Sequence, residues 1–398
     1  MILTEHEAKQ LLAAAQIAVS RSVLITKEQF EDALYFETTS HLQFPAFAKA
    51  QVLHGNRALS GLIQKVETAQ QLDDVLTNLF SLSDQNKQPV TSILLEEAIE
   101  HDAQHYLSVS YSTRERSVVM QYSDAGGVGM DERGGEMQTH ILSILTPPTS
   151  FPLNPELLPL VQQLWHVFTQ HDATLVEINP LVQNNGEWVC LDAKIELDSV
   201  AAFRHSEWSA YPARTTAGAP PTEREQKAKA VSRSDHRGVA GESFLEFPGG
   251  EVGIMASGGG ASLLVMDALL LVGIKPANYT EYSGNPTREK VHQLTEVVLS
   301  IPRLNALFVV GSNANFTDIY ETLAGVVDGF LASAYASQEG FIILIRRGGP
   351  RWQEAFEMVR ERLADRSVIL ELLGPDAPVT STAGILKELL EQQAKKKV

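Results

Sequence analysis

The sequence predicts an α/β protein in two parts: a first half organised around an antiparallel hairpin, and a second half that is a doubly wound parallel sheet. Three observations carry this. In the second half an apolar run, a loop of small residues and a helical pattern follow one another four times, with the runs at 252–256, 304–310, 341–345 and 367–373. Repeated strand–loop–helix units give parallel sheets with right-handed crossovers. In the first half, the stretch 175–198 sets Asn185-Gly186 between two apolar, β-branched runs. That is the strongest short-range hairpin signal, because a type I′ turn needs φ > 0 at both central residues. Between the halves, residues 205–241 turn polar and contain Pro212, Pro220 and Pro221, the composition of a linker. The expected domains are 1–204, a linker over 205–241, and 242–398.

Taken in order, Thr4 caps a first helix, and Glu7 three residues on completes a capping box. Residues 44–50 read as a short strand that delivers Lys49 to its end. The loop bounded by Gly55 and Gly61 contains Arg57. A lysine at a strand end beside a Gly-bounded loop with an arginine suits a nucleoside triphosphate, although a surface hairpin with scattered cations has the same pattern. Strands follow at 92–97, 106–111 and 116–122, then a Gly-rich turn over 124–130 and a helix over 156–170.

If Asn185-Gly186 is the two-residue loop of the hairpin, Asn184 pairs with Glu187. Carried back along the ribbon, this register sets Asn179 opposite Asp192 and Glu177 opposite Lys194, all on one face. Cross-strand Cβ atoms sit about 5 Å apart, so Asn179 and Asp192 can share a hard cation such as Mg2+, which takes few protein oxygens and completes its shell with water and phosphate. A solvated polar face gives the same alternation. Pro180 lacks a donor, and a bulge there would slip the register.

In a doubly wound sheet, the loops at the carboxyl ends of the strands converge on one crevice. Here they include Gly258-Gly259-Gly260, Gly311-Ser312 and Arg346-Arg347-Gly348-Gly349. Backbone N–H groups at helix starts favour an anion, and Arg347 adds a fork that matches a carboxylate in two parallel hydrogen bonds. Glycines in one such loop need only serve helix–sheet packing. Three loops together with an arginine favour a small polyanion.

Composition excludes several classes. A chain of 398 residues with a net charge of −17 is unsuited to nucleic acid or to an anionic membrane surface. Its single cysteine, Cys190, rules out an internal disulfide framework and reads as a buried thiol. The first residues are acidic and amphipathic, unlike a secretory signal, and the apolar run near 263–272 is too short to span a bilayer. The expected location is the cytoplasm.

Glu177-Ile178-Asn179-Pro180-Leu181 followed by Leu191-Asp192-Ala193-Lys194 resembles the ATP-grasp signature of the nucleoside-diphosphate-forming acyl-CoA synthetase (succinyl-CoA synthetase) β-subunit superfamily. Met255 to Ser262, Ala277 to Gly284, Gly311 to Thr317 and Arg346 to Pro350 are similar to the citrate-binding domain of the ATP-citrate lyase family, whose small subunit combines both halves. The fold this implies is an N-terminal ATP-grasp fold followed by a flavodoxin-like doubly wound parallel-sheet domain. The resemblance implies Mg2+ on Asn179 and Asp192, and Glu177 against a phosphohistidine supplied by a partner. It implies ATP held by Lys49, Arg57, Glu97, Ala98 and Ile99, with His105 where the family often has an acid for the ribose. Citrate would lie against Gly284, Ser312, Asn315, Phe316, Thr317 and Arg347, with Gly258, Gly259 and Gly260 as the anion loop.

The chain resembles only part of such an enzyme. A larger partner subunit is implied to carry the CoA-binding module, the phosphohistidine and a citrate-synthase-like module, so that CoA is bound mainly by the partner. The same residues also suit the small subunit of a citryl-CoA synthetase, which stops before cleavage. A succinyl-CoA synthetase β subunit and a non-catalytic citrate-binding subunit are the remaining alternatives.

Overall fold

A computed structural model describes residues 1–53, 57, 59–83, 89–127, 137–212, 214 and 220–396. The chain forms two compact units that divide at Pro220 and Pro221. The first contains β1 (Ser22–Thr26), β2 (Ala46–Ala50), β3 (Ile63–Val66), β4 (Ser92–Glu97), β5 (His105–Ser112), β6 (Ser117–Ser123), β7 (Gln138–Leu142), β8 (Ala173–Asn184), β9 (Glu187–Cys190) and β10 (Ala193–Leu197). Its helices are α1 (Glu5–Ala14), the short α2 (Lys27–Glu31) and α3 (Tyr35–Thr39), α4 (Leu72–Ser81) and α5 (Leu158–Gln170).

Two antiparallel sheets result. One has the order β1-β4-β2-β3; the other has β10-β8-β5-β6-β7, with β9 also on β8. Each sheet has its own core: Leu72, Leu76, Leu79 and Phe80 of α4 cover the first, and α1 and α5 cover the second. In α5, Leu160, Val161, Leu164, Trp165 and Phe168 are buried at helical spacing. The capping box predicted for α1 is present, with Thr4 and Glu7 satisfying each other's backbone N–H.

The ribbon takes the predicted register. Asn184 pairs with Glu187 and Leu181 with Cys190, Lys194 pairs with Glu177, and the Asn179 N–H donates to Asp192 O at 3.2 Å. Asn185 and Gly186 both have positive φ, 51° and 83°, as the turn requires. The irregularity anticipated at Pro180 falls on the other side of β8. There β5 pairs His105 with Leu181 but Leu107 with Ile178, which leaves the β8–β9–β10 register intact. Cys190 is buried, and burial pushes its thiol up to about 12.

The second unit contains β11 (Val239–Ala240), β12 (Leu245–Glu246), β13 (Val252–Ser257), β14 (Asn278–Tyr279), β15 (Glu281–Ser283), β16 (Ala306–Asn313), β17 (Ile342–Gly348) and β18 (Ile369–Leu373). Its helices are α6 (Glu223–Ser232), α7 (Gly259–Leu271), α8 (Arg288–Leu299), α9 (Ile319–Ala332), α10 (Trp352–Leu363) and α11 (Thr382–Lys396). The main sheet has the order β11-β15-β13-β16-β17-β18 and is parallel except for the β11 edge. Helices α8, α9 and α10 bury one face, and α7 and α11 bury the other, which is double winding. Strands β13 and β17 are buried along their whole length, as central parallel strands require.

The unit boundary falls inside the stretch expected to be a linker. Polar composition there hides α6, which carries its own capping box between Thr222 and Glu225 and buries Ala228 and Val231 in the second unit's core.

Asn278, from one of the loops expected at the crevice, holds the sheet. It is fully buried, receives the Ile254 N–H at 2.9 Å and donates to Ile254 O at 3.0 Å. Asn278→Ala strands both groups, at a cost of about 1–3 kcal/mol each, and should lower the urea midpoint of this unit accordingly. An unchanged midpoint would show the amide to be dispensable.

Candidate functional site

In the first unit, both sheets contribute to a pocket of about 530 Å³, a size that accommodates a nucleotide. Lys49, Arg57, Glu97, Ala98, Ile99, Glu177, Asn179 and Asp192 all line it, so residues up to 143 positions apart in the numbering, from Lys49 to Asp192, converge there. Lys49 lies one residue before the end of β2, close to the predicted place, and Glu97 ends β4. Glu97 Oε1 accepts from the Gln43 N–H at 2.9 Å, and the Ala98 N–H is spent on Pro45 O at 3.0 Å.

Six charged side chains interlock at its base. Lys49 Nζ donates to Glu5 Oε1 at 2.9 Å, Glu96 Oε1 at 3.1 Å and Leu191 O at 2.7 Å. A lysine has three donors, so Lys49 reaches a phosphate only by exchanging one of them. Lys9 pairs with Glu5 and with the other oxygen of Glu96. Arg57 bridges Glu5 Oε2 at 2.8 Å and Asp192 Oδ2 at 2.6 Å. Three carboxylates thus balance three cations.

Burial pushes the Glu5 carboxyl up, but Lys49, Lys9 and Arg57 outweigh it and hold it well below the usual range. Burial lowers Lys49 and Arg57, and the surrounding carboxylates more than restore both, raising them. Sequence reading missed Glu5, Lys9 and Glu96. The signal was available only as an acid and a lysine one turn apart in α1, a spacing that usually marks a solvated face.

Replacing Glu5 by glutamine should leave the cluster one charge in excess and cost about 3 kcal/mol of stability. Because the folded carboxyl lies below its ordinary value of 4.5, its contribution is complete above that pH and is lost as pH falls through the lowered value. Acid titration of wild type should show this loss, and Glu5→Gln should not. Parallel curves would overturn the assignment.

On the ribbon, Asn179 Oδ1 accepts the Gly127 N–H at 2.6 Å and its Nδ2 donates to Gly127 O at 3.2 Å. Asp192 Oδ1 accepts the Ala193 N–H at 2.8 Å. These contacts fix both side chains on the pocket face and leave lone pairs for a cation. An amide oxygen and one carboxylate fit Mg2+ that takes its remaining ligands from phosphate and water. Among the described residues no group of three His, Cys, Asp or Glu forms a denser metal cage. Glu177 Oε2 accepts from the Tyr106 hydroxyl at 3.1 Å.

His105 is not brought into this pocket. Strand alternation sends Gln104 and Tyr106 inward and turns His105 onto Tyr122 and Trp188, with Nδ1 at 3.1 Å from the Tyr122 hydroxyl. His101, which sequence reading passed over, lines the pocket. Gly55, Asn56 and Ala58 of the expected phosphate loop, and Val128, Gly129 and Met130 of the Gly-rich turn, lie outside the described residues.

In the second unit, the crevice residues gather at the carboxyl ends of the strands. Gly284 takes a φ of 68° that favours glycine. The next residue, Asn285, receives the Asp318 N–H at 3.1 Å, which ties the 312–318 loop to it. Ser312, Asn315 and Phe316 are exposed and Thr317 is buried. Gly258 to Gly260 open α7 without a side-chain cap, and a Cβ on Gly259 would lie 3.0 Å from a Glu281 carboxylate oxygen, so an anion at this loop must contend with that acid. The helix after Gly311-Ser312 starts only at Ile319, where Asp318 caps it.

The tandem arginines divide. Arg346 gives its N–H groups to Gly311 O at 2.6 Å, Pro375 O at 2.8 Å and Ala377 O at 2.8 Å, and burial lowers its pKa. Arg347 is 1% exposed, yet its Nε and Nη2 have no hydrogen-bond partner among the described residues.

A pocket walled by antiparallel sheets and carrying a lysine, an arginine and an Asn–Asp pair, followed by a doubly wound unit with a buried arginine, has the plan of an ATP-grasp domain joined to a parallel-sheet domain. Residues 2–150 match the ATP-grasp domain family, and residues 222–389 match the ATP citrate lyase citrate-binding family. The ATP-citrate synthase alpha chain protein 2 of Oryza sativa subsp. japonica is 30% identical over 373 residues, covering 86% of this chain and 85% of the relative. The succinate–CoA ligase [ADP-forming] subunit beta of Desulfurococcus amylolyticus is 27% identical over 391 residues, covering 90% and 97%. The ATP citrate lyase of Methanothrix soehngenii, solved with citrate and coenzyme A, superimposes with a TM-score of 0.76 at 23% identity over 98% of this chain and 99% of that one, a likeness that establishes the fold. The chain belongs to the ATP-citrate lyase family, as a subunit with an ATP-grasp and a citrate-binding domain. Among the described residues no helix is long and apolar enough to cross a membrane.

Proposed function

We propose that this chain binds Mg-ATP in its first unit and citrate in its second and, with a larger partner subunit, drives the cleavage of citrate to acetyl-CoA and oxaloacetate. The observation that carries the citrate half is Arg347, a buried guanidinium whose Nε and Nη2 have no acceptor among the described residues. Leaving such donors unpaired costs about 1–3 kcal/mol, a penalty that a carboxylate removes. Gly284, Ser312, Asn315, Phe316 and Thr317 stand around the same strand ends and would hold the rest of the acid.

In the first unit, Lys49 and Arg57 would exchange a carboxylate for a phosphate, while Glu97, Ala98 and Ile99 border the place for the base. Asn179 and Asp192 would hold Mg2+, whose charge offsets that of the transferring phosphoryl group. Glu177 would steady a histidine of the partner as it accepts the phosphoryl group. Passed to citrate, that group makes citryl phosphate; CoA displaces phosphate, and the partner, which binds CoA, splits citryl-CoA. This chain's contribution is positioning and charge neutralisation, which dominate phosphoryl transfer. Titration calorimetry of the full chain tests this reading: citrate should bind and succinate should not. Succinate binding, or silence with both acids, would overturn it.

A further inference from the structure

Arg347 reaches its position by an irregular route. Val310 on β16 pairs with Arg346 and Asn313 pairs with Gly348, so Gly311 and Ser312 together stand opposite Arg347. Two residues against one is a bulge, a device that re-aims a side chain and is enriched beside active sites. The Gly311 carbonyl is held by Arg346 Nη1 at 2.6 Å. A Cβ on Gly311 would lie 2.0 Å from Arg347 Nη1 and 2.7 Å from Ser257 Cβ. Gly311 is not among the residues with positive φ, so its backbone would accept alanine, and what forbids it is the space taken by Arg347 and by Ser257 Cβ.

Beyond Gly311 the guanidinium meets Tyr282. Gly311 pairs with Ser257 on β13, and Ser257 pairs with Tyr282 on β15, so three neighbouring strands present a row under Arg347. Its Cζ lies 5.6 Å from the centre of the Tyr282 ring, within cation–π range. Among the described residues Arg347 forms no ion pair, and the Tyr282 hydroxyl is buried without a partner. An aromatic face offsets the buried charge while leaving in-plane N–H groups open. A carboxylate in its place would consume the fork.

We propose that Gly311 and Tyr282 are positioning residues for substrate recognition: Gly311 opens the path along which Arg347 crosses β16, and the Tyr282 ring holds its charge so that the fork stays free for a substrate carboxylate. This rests on the citrate reading of Arg347. Neither residue touches the substrate in this arrangement; each acts through Arg347.

The test is citrate titration of the full chain carrying Gly311→Ala, Arg347→Ala, both together, Tyr282→Phe or Tyr282→Leu, with Mg-ATP titrated in parallel. Gly311→Ala should weaken citrate by about tenfold or more and, added to Arg347→Ala, should weaken it no further, because the two act as one unit. Tyr282→Phe keeps the ring and should bind as wild type, whereas Tyr282→Leu should lose roughly threefold to thirtyfold. Mg-ATP binding and the urea midpoint of the second unit should both be unchanged throughout, which a chain with either unit misfolded would not show. Citrate loss in Arg347→Ala with wild-type binding in Gly311→Ala and Tyr282→Leu, or additive losses in the double variant, would overturn the positioning role and leave the citrate reading standing. Wild-type citrate binding in Arg347→Ala would instead overturn the citrate reading itself.

Discussion

Asp192→Asn is expected to abolish Mg-ATP-dependent phosphoryl transfer, a loss on the order of 10³-fold or more, while the chain stays folded. Asparagine keeps the shape and, through Oδ1, the acceptor for the Ala193 N–H, while its amide nitrogen replaces the oxygen that accepts from Arg57; the hairpin, set by its own turn and ladder, survives. What it removes is the carboxylate charge beside Asn179. A metal's stabilisation of a transferring phosphoryl group is worth several kcal/mol, and each 1.36 kcal/mol is about tenfold in rate. Phosphorylation of the partner subunit at saturating ATP, followed across a Mg2+ titration, is the measurement. Activity within a few fold of wild type, with an unshifted Mg2+ requirement, would remove Asp192 from the metal site. The variant also frees Arg57 from one of its two carboxylates, so a tighter grip on ATP without Mg2+ should accompany the lost turnover.

Arg347→Lys should be nearly as damaging to citrate binding as Arg347→Ala. The buried fork offers parallel N–H groups to a carboxylate, whereas an ammonium is a single point charge with different reach. Removing one partner of a desolvated charge pair costs about 2–5 kcal/mol, which corresponds to roughly thirtyfold to several thousandfold in dissociation constant. Citrate KM with ATP KM as the internal control is the readout. The same substitution at Arg346 should behave differently. That side chain is spent on three backbone carbonyls, so Arg346→Lys should lower stability through the 375–377 loop before it affects citrate. A citrate defect confined to Arg346→Lys would reverse the two assignments.

The two arginines show where sequence reading stops. Adjacent in one strand, they carry identical side chains that alternation sends to opposite faces, and nothing local tells which face holds carbonyl acceptors. The ribbon is the opposite case. Its register follows from Asn185-Gly186 because turn chemistry and period-two alternation are local properties, and the structure pairs Lys194 with Glu177 as those properties demand. His105 falls between the two. The expectation placed it by motif position, but one step of alternation in β5 turned its ring onto Tyr122, out of the pocket.

The sequence by itself determined the hairpin register and four of the strand–loop–helix units of the second half, since each depends on short-range periodicity or on turn residues. Only the tertiary structure decided that Lys49 is held by Glu5 and Glu96, that Asp192 is held by Arg57, that residues 223–232 are a packed helix within a polar stretch, and that Arg347 rather than Arg346 is left with open donors. Each of these depends on which distant groups share a desolvated space, where an unpaired charge is costly, and that is set by how the sheets and helices pack rather than by any neighbour in the chain.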